Sequence, residues 1–246
     1  MNKEKDMTAY ASRSDQALQR EIKALESQLD ALRKQKLALN MTRGKPAPQQ
    51  LDLVSGLASC LGPNDYRSED GTDCRNYGGA QGLWEMRRLF ADLLDLDPES
   101  VWALGSSSLT LMYDLLVRCL LFRLPDGQKP WHQEKNPAFL CPVPGYDRHF
   151  FATESLGFDL ISVPMTSDGP DMDVVEDLVA NDPRIKGMWC VPQYSNPQGV
   201  VYSQETCQRL SAMKTAASDF RLFWDHAYVV HHLDPDRPES IPDILS

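Results

Sequence analysis

From Pro137 to Asp225, short apolar runs alternate with stretches of helical period, and this alternation constrains the chain more than any other feature. PAFLCPVP (137–144), FDLISVPM (158–165), GMWCVP (187–192) and FRLFWD (220–225) have the length and side-chain content of buried strands. Residues 147–156, 171–180 and 203–218 lie between them with helical spacing. Strands separated by helices predict an α/β fold whose sheet is mostly parallel and flanked by helices. VWAL (101–104) reads as an earlier strand of the same kind. It leads through GSSS into a long apolar helix, LTLMYDLLVRCLLF.

The first third of the chain has a different character. Leu18, Ile22, Leu25, Leu29 and Leu32 recur at steps of four and three, so residues 14–39 read as an amphipathic helix with Ser14 as its cap. That helix either packs on its own domain or pairs with another chain. Residues 40–80 are irregular and rich in Gly and Pro, a length that points to a functional loop or to disorder. Helical period returns from Leu83 to Leu94. The expected division is 1–80, an N-terminal helix and loop segment, and 81–246, the α/β domain.

Composition excludes several classes of function. A net charge of -10 argues against a nucleic-acid or anionic-membrane surface. No apolar run is long enough to span a bilayer, and the polar N-terminus carries no signal-peptide core. None of the six cysteines forms a CxxC pair, which is the usage of reduced thiols in a cytoplasmic protein. His231 and His232 are adjacent and point apart, so they make a poor metal pair.

In an open parallel sheet, ligands bind beyond the carboxyl ends of the strands. Each strand here delivers polar groups at that end. Gly105, Ser106, Ser107 and Ser108 open a helix, where free N–H groups and hydroxyls suit a phosphate; capping by one serine explains them equally well. Tyr146 follows Pro144 and Gly145 and is either a stacking ring or core. Asn196 stands in a Ser-Asn-Pro-Gln-Gly turn, as a turn former or as an amide aimed at a ligand. Asp225 ends an apolar strand, where it is either a helix cap or a buried acid in need of a cationic or donor partner. His149 and His132 have no diagnostic context.

The order of serine seat, strand-end Tyr, Asn-Pro-x-Gly and Asp-x-x-Tyr resembles the large domain of fold-type I pyridoxal-phosphate (PLP) enzymes, the class I aminotransferases. TRGKPAPQQLDL, DCRNYGGAQGLWEMRRLF, LGSSSLTLMYDLL, PVPGYDRHF and WDHAYVVHHL are similar to a bacterial subgroup of aspartate aminotransferases. The resemblance implies roles. Ser106, Ser107 and Ser108 hold the cofactor phosphate, and Tyr146 stacks on the pyridine ring. Asn196 donates to the ring's phenolic oxygen and lies near the substrate carboxylate, and Tyr228 reaches the same oxygen. Asp225 pairs with the ring N–H. Tyr77 reaches the phosphate of a neighbouring subunit, so a homodimer is implied. Gly44 belongs to a loop that closes over substrate. The implied reaction is transamination between an amino acid, aspartate or similar, and a 2-oxo acid.

That reaction also needs a Schiff-base lysine, which in the family follows the Asp-x-x-Tyr strand. No lysine follows Lys214 in this sequence. The expectation is therefore an N-terminal part of a longer aminotransferase, short of the last strands of the sheet and of the small domain. A strand at 101–104 would then lack its neighbour. Two other readings remain open: an inactive PLP-fold fragment that binds or dimerises through residues 14–80, and a different phosphate-binding enzyme that uses the serine loop alone.

Overall fold

The computed structural model describes residues 10, 12–38, 44–242 and 244. They fall into two compact units divided between Asp65 and Tyr66. The first contains helix α1 (Asp15–Lys34) and the short helix α2 (Pro48–Asp52). Ser14 caps α1 by accepting from the Ala17 N–H, Asp15 sits in its first turn, and Arg33 and Lys34 in its last, so both ends match the helix dipole. Neither helix buries a residue, and Ile22, Leu25, Leu29 and Leu32 stand exposed along one stripe of α1. The end of the expected helix, residue 39, and residues 40–43 of the expected loop lie outside the described residues.

The second unit carries α3 (Trp84–Leu94), α4 (Ser108–Leu121), β1 (Ala138–Val143), α5 (Asp147–Ser155), β2 (Asp159–Thr166), β3 (Gly169–Pro170), α6 (Met172–Asn181), β4 (Ile185–Cys190), α7 (Gln204–Ala212) and β5 (Arg221–Trp224). The sheet order is β3-β2-β1-β4-β5. β1, β2, β4 and β5 are parallel, and only the two-residue β3 runs antiparallel. The α/β expectation with a mostly parallel sheet is met.

The central strands β1 and β4 are buried on both faces, so they read as continuous apolar runs rather than alternating ones, whereas β2 is largely exposed. The pleat sorts their side chains. Ala138, Leu140, Met188 and Cys190 face one way and meet Val175 and Val179 of α6 and Leu210 of α7. Phe139, Cys141, Trp189 and Phe223 face the other way and meet Leu116 and Cys119 of α4. Phe139 is the hub of that second face, with its ring 5.5–5.7 Å from those of Phe158, Trp189 and Phe223. It lies directly over Gly187, where an added Cβ would come within 2.4 Å of the phenyl ring. Glycine in a central strand is explained by that close approach.

One expected strand is absent. Residues 101–104 make no ladder; Trp102 and Leu104 are exposed. Among the described residues the segment has no strand beside it to take up its N–H and C=O groups. It is held from the helix side instead. Arg87 of α3 donates to the carbonyls of Pro98 and Val101 and pairs with Glu99, and the Ala103 N–H donates to the Gln81 carbonyl. α7 also ends earlier than its period suggests, at Ala212. The following residues fold against α6, with the Ala216 N–H donating to the Val179 carbonyl.

The amino ends of the strands are tied by a buried polar knot. Lys186 of β4 donates to Asp219 at 3.1 Å, the Trp131 indole N–H donates to the other oxygen of Asp219 at 3.0 Å, and all three residues are buried. Removing one member of such a group leaves a buried charge uncompensated. Asp219→Ala is expected to destabilise the chain by about 3–5 kcal/mol, read as a lower urea midpoint; a cost near zero would show that the knot is solvated.

The cysteines divide more sharply than composition suggests. Cys119, Cys141, Cys190 and Cys207 are buried, whereas Cys60 and Cys74 are exposed. Burial pushes the Cys119 thiol up to about 11 and the Cys141 thiol up to about 12. A thiol-disulfide reagent at pH 8 is expected to modify two cysteines quickly and four only on unfolding; fast reaction of a third would contradict this packing.

Candidate active site

The topology itself singles out a crevice. From β1 the chain crosses through α5 to β2 on one side, then returns through α6 to β4 on the other side of β1. α6 packs on the face of Leu140 and Met188. α5 lies on the opposite face, where His149 stacks on Trp189. Successive crossovers on opposite faces make β1 and β4 the switch point of the sheet, and the opening beyond their carboxyl ends is where open α/β sheets bind ligands. Tyr146 follows β1 and Asn196 follows β4.

After β1 the chain turns through Pro144 and Gly145 into α5. An added Cβ at Gly145 would fall 2.3 Å from the Pro142 carbonyl oxygen and 2.6 Å from the Phe150 ring, so the turn admits only glycine. Tyr146 sits at the N-cap of α5 and is half-buried. After β4, Ser195 closes the turn. Its N–H donates to Val200, its carbonyl accepts from Gly199, and its hydroxyl accepts from the Val200 N–H. Gly199 takes a positive φ of 73° there. Asn196 rides on the closed turn, half-buried, and its amide has no hydrogen-bond partner among the described residues. Tyr146, Asn196, His149, Trp189 and Ser195 line one small cavity.

His149 is the group that sequence reasoning missed. It lies one helical turn beyond Tyr146, on the same side of α5. Its Nε2 is 3.0 Å from Asp225 Oδ2, and the pair is buried, at 1% and 9% side-chain exposure. Its ring stacks on Trp189 at 4.2 Å and 8°, and it meets Tyr146 edge-on at 5.0 Å. Trp189 in turn donates to the Thr153 hydroxyl, which donates to the His149 carbonyl. The imidazole is thus fixed on three sides. The only sequence signal was the spacing from Tyr146; its partner is 76 residues away.

Asp225 follows β5 and stays registered with the sheet, since its N–H donates to the Cys190 carbonyl. One carboxylate oxygen is held by His149. The other has no hydrogen bond among the described residues. The helix-cap alternative for Asp225 finds no support, because no helix starts there. The neighbouring His226 donates to Gln193 at 2.7 Å, and burial pushes its imidazole down towards the neutral form against the opposing pull of Asp225.

The remaining expected residues stand apart from this group. Ser107 caps α4, accepting from the Thr110 N–H and hydroxyl. Ser106 and Ser108 are exposed, and the first-turn N–H groups of Ser108 and Leu109 have no intrahelical acceptor. One serine caps the helix, while its neighbours and the helix end stay open. Tyr228 is half-buried, and its ring meets His231 edge-on at 6.0 Å. Tyr77 is fully exposed, and Gly44, in the first unit, is exposed as well.

A buried carboxylate with one open oxygen suits a ring N–H and an unpaired amide suits a phenolic oxygen, while the open helix N-terminus of α4, apart from them, suits phosphate.

The profile of the family described as "Aspartate amino-transferase" matches residues 13–246. An aspartate aminotransferase of Corynebacterium glutamicum is 48% identical over 217 residues, which is 88% of this chain and 50% of that protein. A crystal structure of an aspartate transaminase from the same species superposes with a TM-score of 0.84 at 45% identity, covering 94% of this chain and 54% of that one. An archaeal alanine:glyoxylate aminotransferase, at 23% identity and a TM-score of 0.50, shares the fold alone, over 75% of this chain and 44% of its own. The chain spans about half the length of the curated relatives it matches. It belongs to the aspartate aminotransferase family.

Proposed function

We propose that this chain works as part of a PLP-dependent aminotransferase that exchanges the amino group of aspartate, or of a similar amino acid, with a 2-oxo acid. The observation that carries the reading is the buried Asp225 carboxylate, oriented by His149 and left with one open oxygen beside the switch-point crevice. PLP, when bound, supplies an electron sink for the carbanion that forms at the amino-acid α-carbon.

The chain's own residues prepare for that chemistry. Asp225 would keep a ring nitrogen protonated, because a carboxylate beside it favours the charged form. His149 holds the carboxylate in place, and Trp189 and Thr153 hold His149. Asn196 and Tyr228 would meet the phenolic oxygen, and Asn196 would also lie near the substrate carboxylate. Tyr146 would cover the ring. Ser106, Ser107 and Ser108 would take the phosphate at the start of α4. Tyr77 would serve a neighbouring subunit, and Gly44 would belong to the loop over the substrate. The exposed apolar stripe of α1 supports a homodimer, with residues 1–80 as the segment that pairs and covers. Cytoplasmic residence is part of the same proposal. The reaction also needs a Schiff-base lysine, and no lysine follows Lys214 in this sequence.

Direct titration of the chain with PLP, followed by tryptophan fluorescence and equilibrium dialysis, tests the assignment. Asp225→Ala is expected to weaken binding about tenfold or more, a loss of roughly 1.4 kcal/mol or above. Replacing Ser106, Ser107 and Ser108 together with alanine is expected to weaken it further and to remove competition by inorganic phosphate. Circular dichroism of each variant separates loss of binding from loss of fold. Unchanged PLP affinity in both folded variants would overturn the reading.

A further inference from the structure

Gln193 and Tyr194 lie between β4 and the turn that carries Asn196, and both are buried. Their polar ends reach the segment that follows β5. The Gln193 amide nitrogen donates to the Glu239 carbonyl at 2.7 Å. A carbonyl only accepts, so this bond fixes the amide's orientation and leaves Gln193 Oε1 to accept from His226 Nε2, also at 2.7 Å. The Tyr194 hydroxyl accepts from the Glu239 N–H at 3.2 Å and meets His232 Nδ1 at 3.0 Å, with the two rings edge-on at 6.1 Å. Residues 226, 232 and 239 are thereby tied to two consecutive residues beyond β4.

This clasp joins the two strand ends on which the site depends. Main-chain pairing of β4 with β5 reaches as far as the Asp225 N–H on the Cys190 carbonyl. One residue further on, the His226–Gln193 bond continues the tie through side chains. His226 adjoins Asp225, and Gln193 stands three residues before Asn196. Tyr194 holds a φ of 52°, and the Asn196 turn closes on the next residue, Ser195. A bulky aromatic residue keeps that backbone conformation only where its surroundings over-determine it, and the clasp supplies such a hold. We propose that Gln193, Tyr194 and His226 are positioning residues, which set the spacing between the Asn196 amide and the Asp225 carboxylate so that both meet one ring at once. This role rests on the assignment of those two groups to PLP, and it adds the device that holds them in register.

Parallel titrations of the chain with PLP and with its analogue lacking the phenolic hydroxyl test the proposal without any activity readout. The wild-type chain is expected to bind PLP about fivefold more tightly than the analogue, the worth of one hydrogen bond. Gln193→Met and His226→Phe are each expected to bring that ratio below about twofold. His226→Gln, whose amide nitrogen can stand in for Nε2, is expected to restore it. On an Asn196→Ala background neither loss variant is expected to change the ratio further. In the ligand-free chain, the same two variants are expected to quicken amide exchange at Gly199 and Val200, with circular dichroism unchanged. Folded variants that keep the wild-type ratio, or that weaken both compounds equally, would overturn the positioning role and leave the PLP assignment standing. Equal affinity of the wild-type chain for the two compounds would instead overturn the assignment of Asn196, and the positioning role with it.

Discussion

The hydrogen bond between His149 and Asp225 is the constraint through which the rest of the site is organised. It joins a helix that follows β1 to a residue that follows β5, across the switch point of the sheet. Burying a carboxylate beside an apolar strand is costly unless a donor meets it. The donor here is itself immobilised by the Trp189 ring and, through Thr153, by the Trp189 indole N–H. An acid held in this way has little freedom to reorient, and a cofactor pocket needs that rigidity if its charge is to act at one atom.

The fold supplies this geometry from ordinary packing. Phe139 closing over Gly187 draws β1 and β4 together, and the aromatic cluster that it leads carries Trp189 into place under His149. Gly145 lets the chain turn sharply enough to start α5 where His149 can reach back. These three contacts link core, turn and site in one continuous stack.

Much of this was legible in the sequence, and the exceptions have physical reasons. β1 and β4 were visible because strands buried on both faces are apolar nearly without interruption, and β2 and β5 because their short apolar runs lie between stretches of helical period. Asn196 and Tyr146 were visible because strand ends in a parallel sheet are where polar groups become useful. VWAL forms no strand because an apolar run records only burial tendency, and the neighbour that the sequence reading already expects to be missing is absent from the described residues. α7 was overextended because Thr215 to Ala217 keep helical character but gain tertiary contacts with α6. β3, at Gly169 and Pro170, was too short to give a period. His149 was invisible because a long-range hydrogen bond leaves no local pattern, and the openness of the serine turn depends on whatever approaches α4 from outside.

The knot of Lys186, Asp219 and Trp131 lies at the amino ends of the strands, opposite to the crevice. Cohesion and chemistry thus occupy opposite poles of one sheet. Substitutions that retune the loops carrying Tyr146, Asn196 or Tyr228 leave the anchoring pole untouched, so a lineage built on this scaffold can change what it accepts without first having to strengthen what holds it together.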